Sequence, residues 1–452
     1  MKRIIEYILG YFIVIIFPIS NIFASDYPSI VENDDVIGKY YGTSPIASLT
    51  FKGKATNVNI GSIIDVLGGT GIMFYDEVED SRINAQIWIR SGTTGIRFRS
   101  IVRDSEFGAS LLNQADPSGA CKGIIFDDVV SGCKFDYFHS VIDYSANVIG
   151  PSIFYGNVLN TTFTNSDLEG IKFYGNLFNV DFINCTRSFK FYGTLLNDVT
   201  FTNTNLTGIS FINTKFQNVA FYGVNMSKID LRGADLSGIT GEYSVKNTIM
   251  PDGTIHNLSL MTSEDSFSIS KYVKTVSDAS MTIRSTYSEQ EISAKISEAD
   301  TTISTGAILT LEDGAVLEIL NEKTLSLSEG GIIEFCLGDN YTEALLYVNE
   351  NSTFLYDGGD IVINISDPFL DGNSYILNII HIDGTFLNYE QLSRIANFKI
   401  QVNGVEFTGD WDPIIDSSGI SLSFQSVVPE PSTYAAIFGA LALAFAAYRR
   451  RK

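Results

Sequence analysis

From Phe191 onward the chain places an apolar residue at every fifth position: Phe191, Leu196, Phe201, Leu206, Phe211, Phe216, Phe221, Met226, Leu231 and Leu236. In a chain that is 45% apolar, such an unbroken series is a repeat, and its period is neither that of a helix nor that of a simple strand. The position two residues before is small or β-branched in nine of the ten: Thr194, Val199, Thr204, Ile209, Thr214, Val219, Val224, Ile229 and Ala234. With many aromatics and glycines and no long amphipathic helix pattern, the chain is expected to form short strands and turns. An upstream block keeps the period in another register: Val148, Ile153, Val158, Phe163, Leu168, Phe173, Phe178 and Ile183. The longer step from Ile183 to Phe191 predicts a three-residue insertion at one corner.

Outside this block the pattern weakens but stays strand-like. Ile87–Arg90, Gly95–Arg99 and Gly123–Phe126 are short β-rich runs between turn residues, and they predict an irregular β-solenoid with an N-terminal cap over 26–145. Residues 241–304 read as a polar connecting segment with a short helix near Ser288–Ala299. Residues 305–426 are strand-rich again, as in Ala307–Leu311, Ala315–Ile319, Gly331–Phe335, Asp360–Ile365 and Tyr375–Ile380. Their spacing fits a second β-solenoid or a sandwich.

Ala234-Asp235-Leu236-Ser237-Gly238, Thr204–Gly208 and Ser166–Gly170 carry the closest copies of a five-residue unit. With them, residues 146–240 resemble the pentapeptide-repeat family. The resemblance implies an all-β fold, a right-handed parallel β-helix with four pentapeptides to each square coil and coils ~4.8 Å apart. Where Ile, Val or Phe fills the small slot, a wider and less regular interior is expected. Phe-Tyr-Gly recurs at 154–156, 173–175, 191–193 and 221–223. Stacking of the first three would make Tyr155, Tyr174 and Tyr192 an exposed aromatic ladder, a candidate ligand face for sugar rings. The plainer reading is that each Tyr covers a turn.

The two ends carry targeting patterns. Met1-Lys2-Arg3, an apolar stretch from Ile4 to Phe17, Pro18 and then Ala24-Ser25 read as a signal peptide over 1–25. The other end reads Pro429-Glu430-Pro431, an apolar run over 434–448, then Arg449, Arg450, Arg451 and Lys452. The Pro-Glu-Pro segment is stiff and extended, the apolar run suits a bilayer, and the four cations would hold it from the cytoplasmic side. In all three parts 427–452 resembles the PEP-CTERM sorting signal, a type of tail also known as the ice-binding protein C-terminal segment. The resemblance implies a Gram-negative-type bacterium, export by the secretion translocon, transient inner-membrane anchoring, and processing by an exosortase-like membrane enzyme. It also implies a cell-surface or matrix destination beside extracellular polysaccharide.

Charge sharpens the picture. The formal net charge is −22, and removing the two basic ends leaves about −27. An acidic surface disfavours nucleic acid and anionic lipid and suits an extracellular protein. The four cysteines form no CxxC pair; Cys121 and Cys133 are spaced to close a short loop, whereas Cys185 and Cys336 read as small buried hydrophobes. Asp127, Asp128, Asp136 and Asp143, around His139, are the candidate metal or carboxylate cluster. His256 and His381 read as structural, and neither GxSxG nor HExxH occurs. No cofactor is implied. The sequence therefore points to a noncatalytic structural or adhesive surface protein. The rivals are a β-helix polysaccharide lyase or hydrolase using the Asp cluster, and a flat-faced or ice-binding protein using Thr162, Thr164, Thr200 and Thr202.

Overall fold

The computed structural model describes residues 25–425 except 28–29, 33–34, 37–38, 43–48, 61–62, 67–69, 85, 90–93, 109, 114–121, 139–151, 187–188, 270–291, 338–344, 366–373, 393–397, 403–404 and 408–410. Both targeting patterns lie essentially outside the described residues, as do Cys121, His139 and Asp143. The chain divides into two compact units, Met1–Asp252 with Val273–Gln290 and Gly253–Tyr272 with Glu291–Lys452.

The first unit is a parallel β-helix, the fold class expected from the repeat. One eight-stranded sheet stacks Ser25–Tyr27, Leu49–Phe51, Thr70–Phe74, Thr94–Phe98, Lys122–Phe126, Ile153–Phe154, Lys172–Phe173 and Lys190–Phe191, all parallel. A long bent sheet runs beside it through Val158–Thr164, Leu177–Ile183, Leu195–Thr202 and Val219–Asn225. A third sheet stacks Lys39–Gly42, Ile63–Val66, Gln86–Ile89 and Ser110–Asn113 and, among the described residues, is confined to the early coils.

Two phenylalanine ladders fill the axis. Phe51, Phe74, Phe98, Phe126, Phe154 and Phe173 stack with ring centroids 4.4, 4.8, 5.0, 4.6 and 4.8 Å apart. Phe107, Phe135, Phe163, Phe182, Phe201 and Phe221 form the second, at 4.7, 4.5, 5.0, 5.0 and 5.4 Å. The ladders meet edge to face, for example Phe154 with Phe135 at 5.6 Å and with Phe163 at 5.9 Å. Offset stacking along the axis and T-shaped contact across it are both favourable arrangements of the ring quadrupole.

The five-residue slots from Phe191 to Leu231 all point inward, and Leu236 packs against the same core. The upstream register differs from expectation at Ile153, which lies with the outer tyrosines while Phe154 fills the axis, and again after Phe173. Leu177 and Phe182 are buried, while Phe178 and Ile183 face outward and are only half-buried. Leu177 pairs with Val158 and Phe182 with Phe163. The irregularity is a shortened coil rather than an insertion: equivalent residues here lie 19 apart. In earlier coils the separation is 23, 24 and 28 residues.

The second unit is also a parallel β-helix, which decides between the solenoid and sandwich expectations. Its three sheets stack Phe267–Ile269, Ile308–Leu311, Ile332–Leu337, Asp360–Ile365 and Phe398–Val402; Ala294–Ile296, Leu317–Ile319, Leu346–Val348 and Ser374–Ile382; and Thr301–Ile303, Thr324–Ser328, Thr353–Asp357 and Thr385–Leu387. An antiparallel hairpin, Trp411–Asp416 and Gly419–Gln425, pairs with Ser374–Ile382 and covers that sheet edge. The helix expected near Ser288–Ala299 is replaced by the strand Ala294–Ile296, because Ala294 and Ile296 alternate inward onto Leu317 and Ile319.

Cys133 is a free, buried thiol whose Sγ donates to the carbonyls of Ser131 at 3.4 Å and Val102 at 3.7 Å. Cys185 is likewise free and buried, but Cys336 points outward and is only half-buried. Burial pushes the Cys133 thiol up to about 12 and that of Cys185 to about 11; Cys336 also rises to about 11, through burial and the nearby Glu334, Glu312 and Asp313 carboxylates. Unfolding returns each to its ordinary value of 9.0, so the unfolded chain ionises first as pH rises. The thiols therefore leave stability unaffected below pH 9 and lower it from there up to about 12. Thermal melts should show an alkaline loss that is smaller in a Cys133→Ala/Cys185→Ala variant.

Candidate functional site

The aromatic ladder exists but is not an exposed face. Tyr155, Tyr174 and Tyr192 stack at 5.2 and 4.8 Å on the outer side of the eight-stranded sheet. Tyr155 is 4% exposed and Tyr174 9%, packed with Ile125 and Ile153, while Tyr192 is half-buried. The glycine of each triplet explains why the motif recurs. A Cβ on Gly175 would lie 2.2 Å from the Gly156 carbonyl oxygen, and one on Gly193 would lie 2.4 Å from that of Gly175. The backbones touch here, so the coils can close only on glycine. Gly175→Ala should cost about 1–3 kcal/mol through overpacking, measurable by urea unfolding. The fourth triplet sits elsewhere: Phe221 joins the second ladder, and Tyr222 is exposed.

The described acidic candidates do not converge. Asp127 receives two hydrogen bonds from Arg97, at 2.8 and 3.0 Å. Asp128 accepts from the Val129 amide at 2.7 Å, and Asp136 lies on another strand, where Asn165 donates to it at 3.4 Å. Among the described residues no three His, Cys, Asp or Glu side chains are placed to hold a metal ion. The threonine face is broken as well. Thr162 and Thr200 are separated in their column by Asp181, and Thr164 and Thr202 by Ile183. His256 pairs with Glu298 at 3.2 Å and His381 with Asp383 at 3.1 Å, both on the surface.

A different feature stands out along the bend of the long sheet. Asn57, Asp80, Asp104, Gly132, Asn160, Asn179, Asp198 and Asn218 occupy one column, one per coil, each with φ between 48° and 66°. Left-handed backbone suits Asn, Asp and Gly, whose short side chains tolerate it. The next residue turns inward, and in three coils it carries a hydroxyl. Ser81 Oγ donates to the Glu79 carbonyl at 2.8 Å and accepts from the Val58 amide at 3.1 Å; Ser105 and Thr161 do the same one and three coils on. These hydroxyls satisfy backbone groups that the bend takes out of the ladder.

Outside the bend lies a cavity of about 440 Å³, lined by Asn57, Asn59, Asp80, Arg82, Asp104 and Glu106. Arg82 donates to Glu106 from Nε at 3.0 Å and from Nη2 at 2.6 Å. The sequence carries a signal for this groove that period-five reasoning passes over: Asp80-Ser81-Arg82-Ile83, Asp104-Ser105-Glu106-Phe107, Asn160-Thr161-Thr162-Phe163 and Asn179-Val180-Asp181-Phe182 share one pattern.

With inward slots running from Phe201 to Leu236, the later coils match a known unit. Residues 200–238 match the pentapeptide-repeat family. The family model matches there in eight copies. Among solved structures the chain is similar to HetL, a pentapeptide repeat protein involved in heterocyst differentiation regulation from the cyanobacterium Nostoc sp. strain PCC 7120. The two are 13% identical over 50% of this chain and 91% of that one, with a TM-score of 0.17. No curated protein matches the sequence. Among the described residues no helix is long and apolar enough to cross a membrane; the apolar run 434–448 is outside them.

Proposed function

We propose that this protein is a noncatalytic structural or adhesive β-solenoid, exported and delivered to the cell surface by a PEP-CTERM/exosortase-type system, where it associates with extracellular polysaccharide. The observation that carries the binding part is the axial polar column at the sheet bend, which repeats hydrogen-bonding side chains coil after coil beside an open groove. A polymer with a repeating unit is the natural partner of such a surface. The delivery part rests on Pro429-Glu430-Pro431, the apolar run and the four terminal cations.

Asp127 is tied to Arg97, which removes the best-placed carboxylate of the lyase or hydrolase alternative from free acid–base work. The interrupted threonine columns likewise give the ice-binding alternative no regular array. Deleting Pro429–Pro431 tests delivery: the protein should then accumulate unprocessed at the inner membrane. Unchanged surface delivery and unchanged processing would refute the sorting reading.

A further inference from the structure

We propose that the exported protein pairs head to head with a second copy through its first coil, whose strands stack antiparallel on their twofold-related equivalents. This rests on the export part of the reading above, in which cleavage at Ala24 or Ser25 leaves the strand Ser25–Tyr27 at the start of the chain.

Ser25–Tyr27, Ile30–Glu32, Asp35–Val36 and Lys39–Gly42 make the first coil. Each pairs on one side, with Leu49–Phe51, Lys54–Thr56, Asn59–Ile60 and Ile63–Val66 in turn. Among the described residues no strand pairs with the other edge of any of the four. The apolar columns also run through to this coil. Tyr27, Val31 and Val36 stand in register with Phe51, Ala55 and Ile60, all fully buried. A solenoid that ends in solvent needs a polar cap over such columns, and the first coil continues them instead.

The open edge also carries directed hydrogen-bonding groups. Arg82, Glu106, Lys134 and Thr162 form one column, and each donates its backbone amide to a carbonyl of the preceding coil, at 2.8–3.0 Å. Asp35 holds the same register position through Asn59, and no coil precedes it. Its amide therefore points out of the end. Unpaired edges of this kind recruit other strands.

An identical first coil is the occupant that fits. Only an end of equal circumference meets all four edges at once, and a twofold axis sets their strands antiparallel, the pairing in which facing residues exchange both bonds. The last coil of the second unit does not offer such an end. It is covered by the antiparallel strands Trp411–Asp416 and Gly419–Gln425, and the outermost of them holds Pro413, which has no amide to donate. Size agrees as well. Equivalent residues of the early coils lie 23 or 24 apart, so each copy contributes one coil to a contact of roughly 20–30 residues a side, as a stable interface needs.

Sedimentation equilibrium and mass spectrometry of the exported protein, purified from the culture, test this. The chain should begin at or beside Ser25 and sediment at twice its own mass. Asp35→Pro removes an amide that has no preceding coil to bond, so the variant should dimerise about tenfold more weakly or worse, with circular dichroism and melting temperature unchanged. Hydrogen exchange on the unaltered protein gives a reading that needs no variant: the Asp35 amide should be protected in the dimer and lose about tenfold or more of that protection on dilution to monomer. A monomer that begins at Ser25, an open polymer, a folded Asp35→Pro variant that dimerises as tightly as the wild type, or a dimer whose Asp35 amide exchanges freely overturns the head-to-head assignment and leaves the export reading in place. A chain that retains residues 1–24 overturns both.

Discussion

Replacing Phe154 by alanine should destabilise the first unit by about 3–5 kcal/mol, the cost of emptying a large aromatic site in a rigid core. Phe154 is fully buried, stacked on Phe126 at 4.6 Å and on Phe173 at 4.8 Å, and it meets both Phe135 and Phe163 edge-on. The neighbouring coils cannot collapse into the void, because their spacing is fixed by the backbone ladder. Phe154→Asp adds the burial of a carboxylate among rings and should prevent folding of the unit. Phe201→Asp, in the other ladder, should act the same way. Far-UV circular dichroism and denaturant unfolding read these outcomes directly, and an unchanged melting temperature for Phe154→Asp would contradict the ladder.

The second large effect is electrostatic. Arg232 is 1% exposed and holds Asp230 through Nε at 3.0 Å and Nη2 at 2.6 Å, and its own amide donates to the same carboxylate at 3.1 Å. Removing the carboxylate breaks this short ion pair around a buried guanidinium, so Asp230→Ala should cost about 3–5 kcal/mol. Replacing both residues by leucine should cost less than the single change, because the burden of the pair is desolvation. Urea unfolding of the single and double variants decides it: a double variant as unstable as the single would show that shape, not charge, sets the cost.

The later coils were legible because their inward slots recur every five residues and the chain there has almost no insertions. Phe178 and Ile183 misled, since they keep the period while the coil has lost a residue; only the pairing of Phe163 with Phe182 reveals the slip. Upstream, separations of 23, 24 and 28 residues are not multiples of five, so the ladder Phe51, Phe74, Phe98 and Phe126 is invisible to that period. The tetrapeptide that begins with the left-handed Asn or Asp survives these changes of length, because it encodes the bend itself.

The candidate site shows the same division. The Phe-Tyr-Gly triplets announced the tyrosine stack, but exposure depends on what covers the outer face, and sequence spacing does not report it. The aspartates around 127–136 looked like a cluster along the chain, yet in a solenoid the neighbours that matter are one coil away. Arg97, not another carboxylate, is the partner of Asp127. By the same logic Asp80 and Asp104, a coil apart in sequence, belong to one groove.

The central claim is that this solenoid holds a polysaccharide without altering it. The most direct measurement incubates the purified protein with soluble and insoluble polysaccharides and follows both retention on the polymer and the appearance of new reducing or unsaturated ends. Retention with no new ends is the predicted result; new ends, or no retention on any polymer, would contradict it.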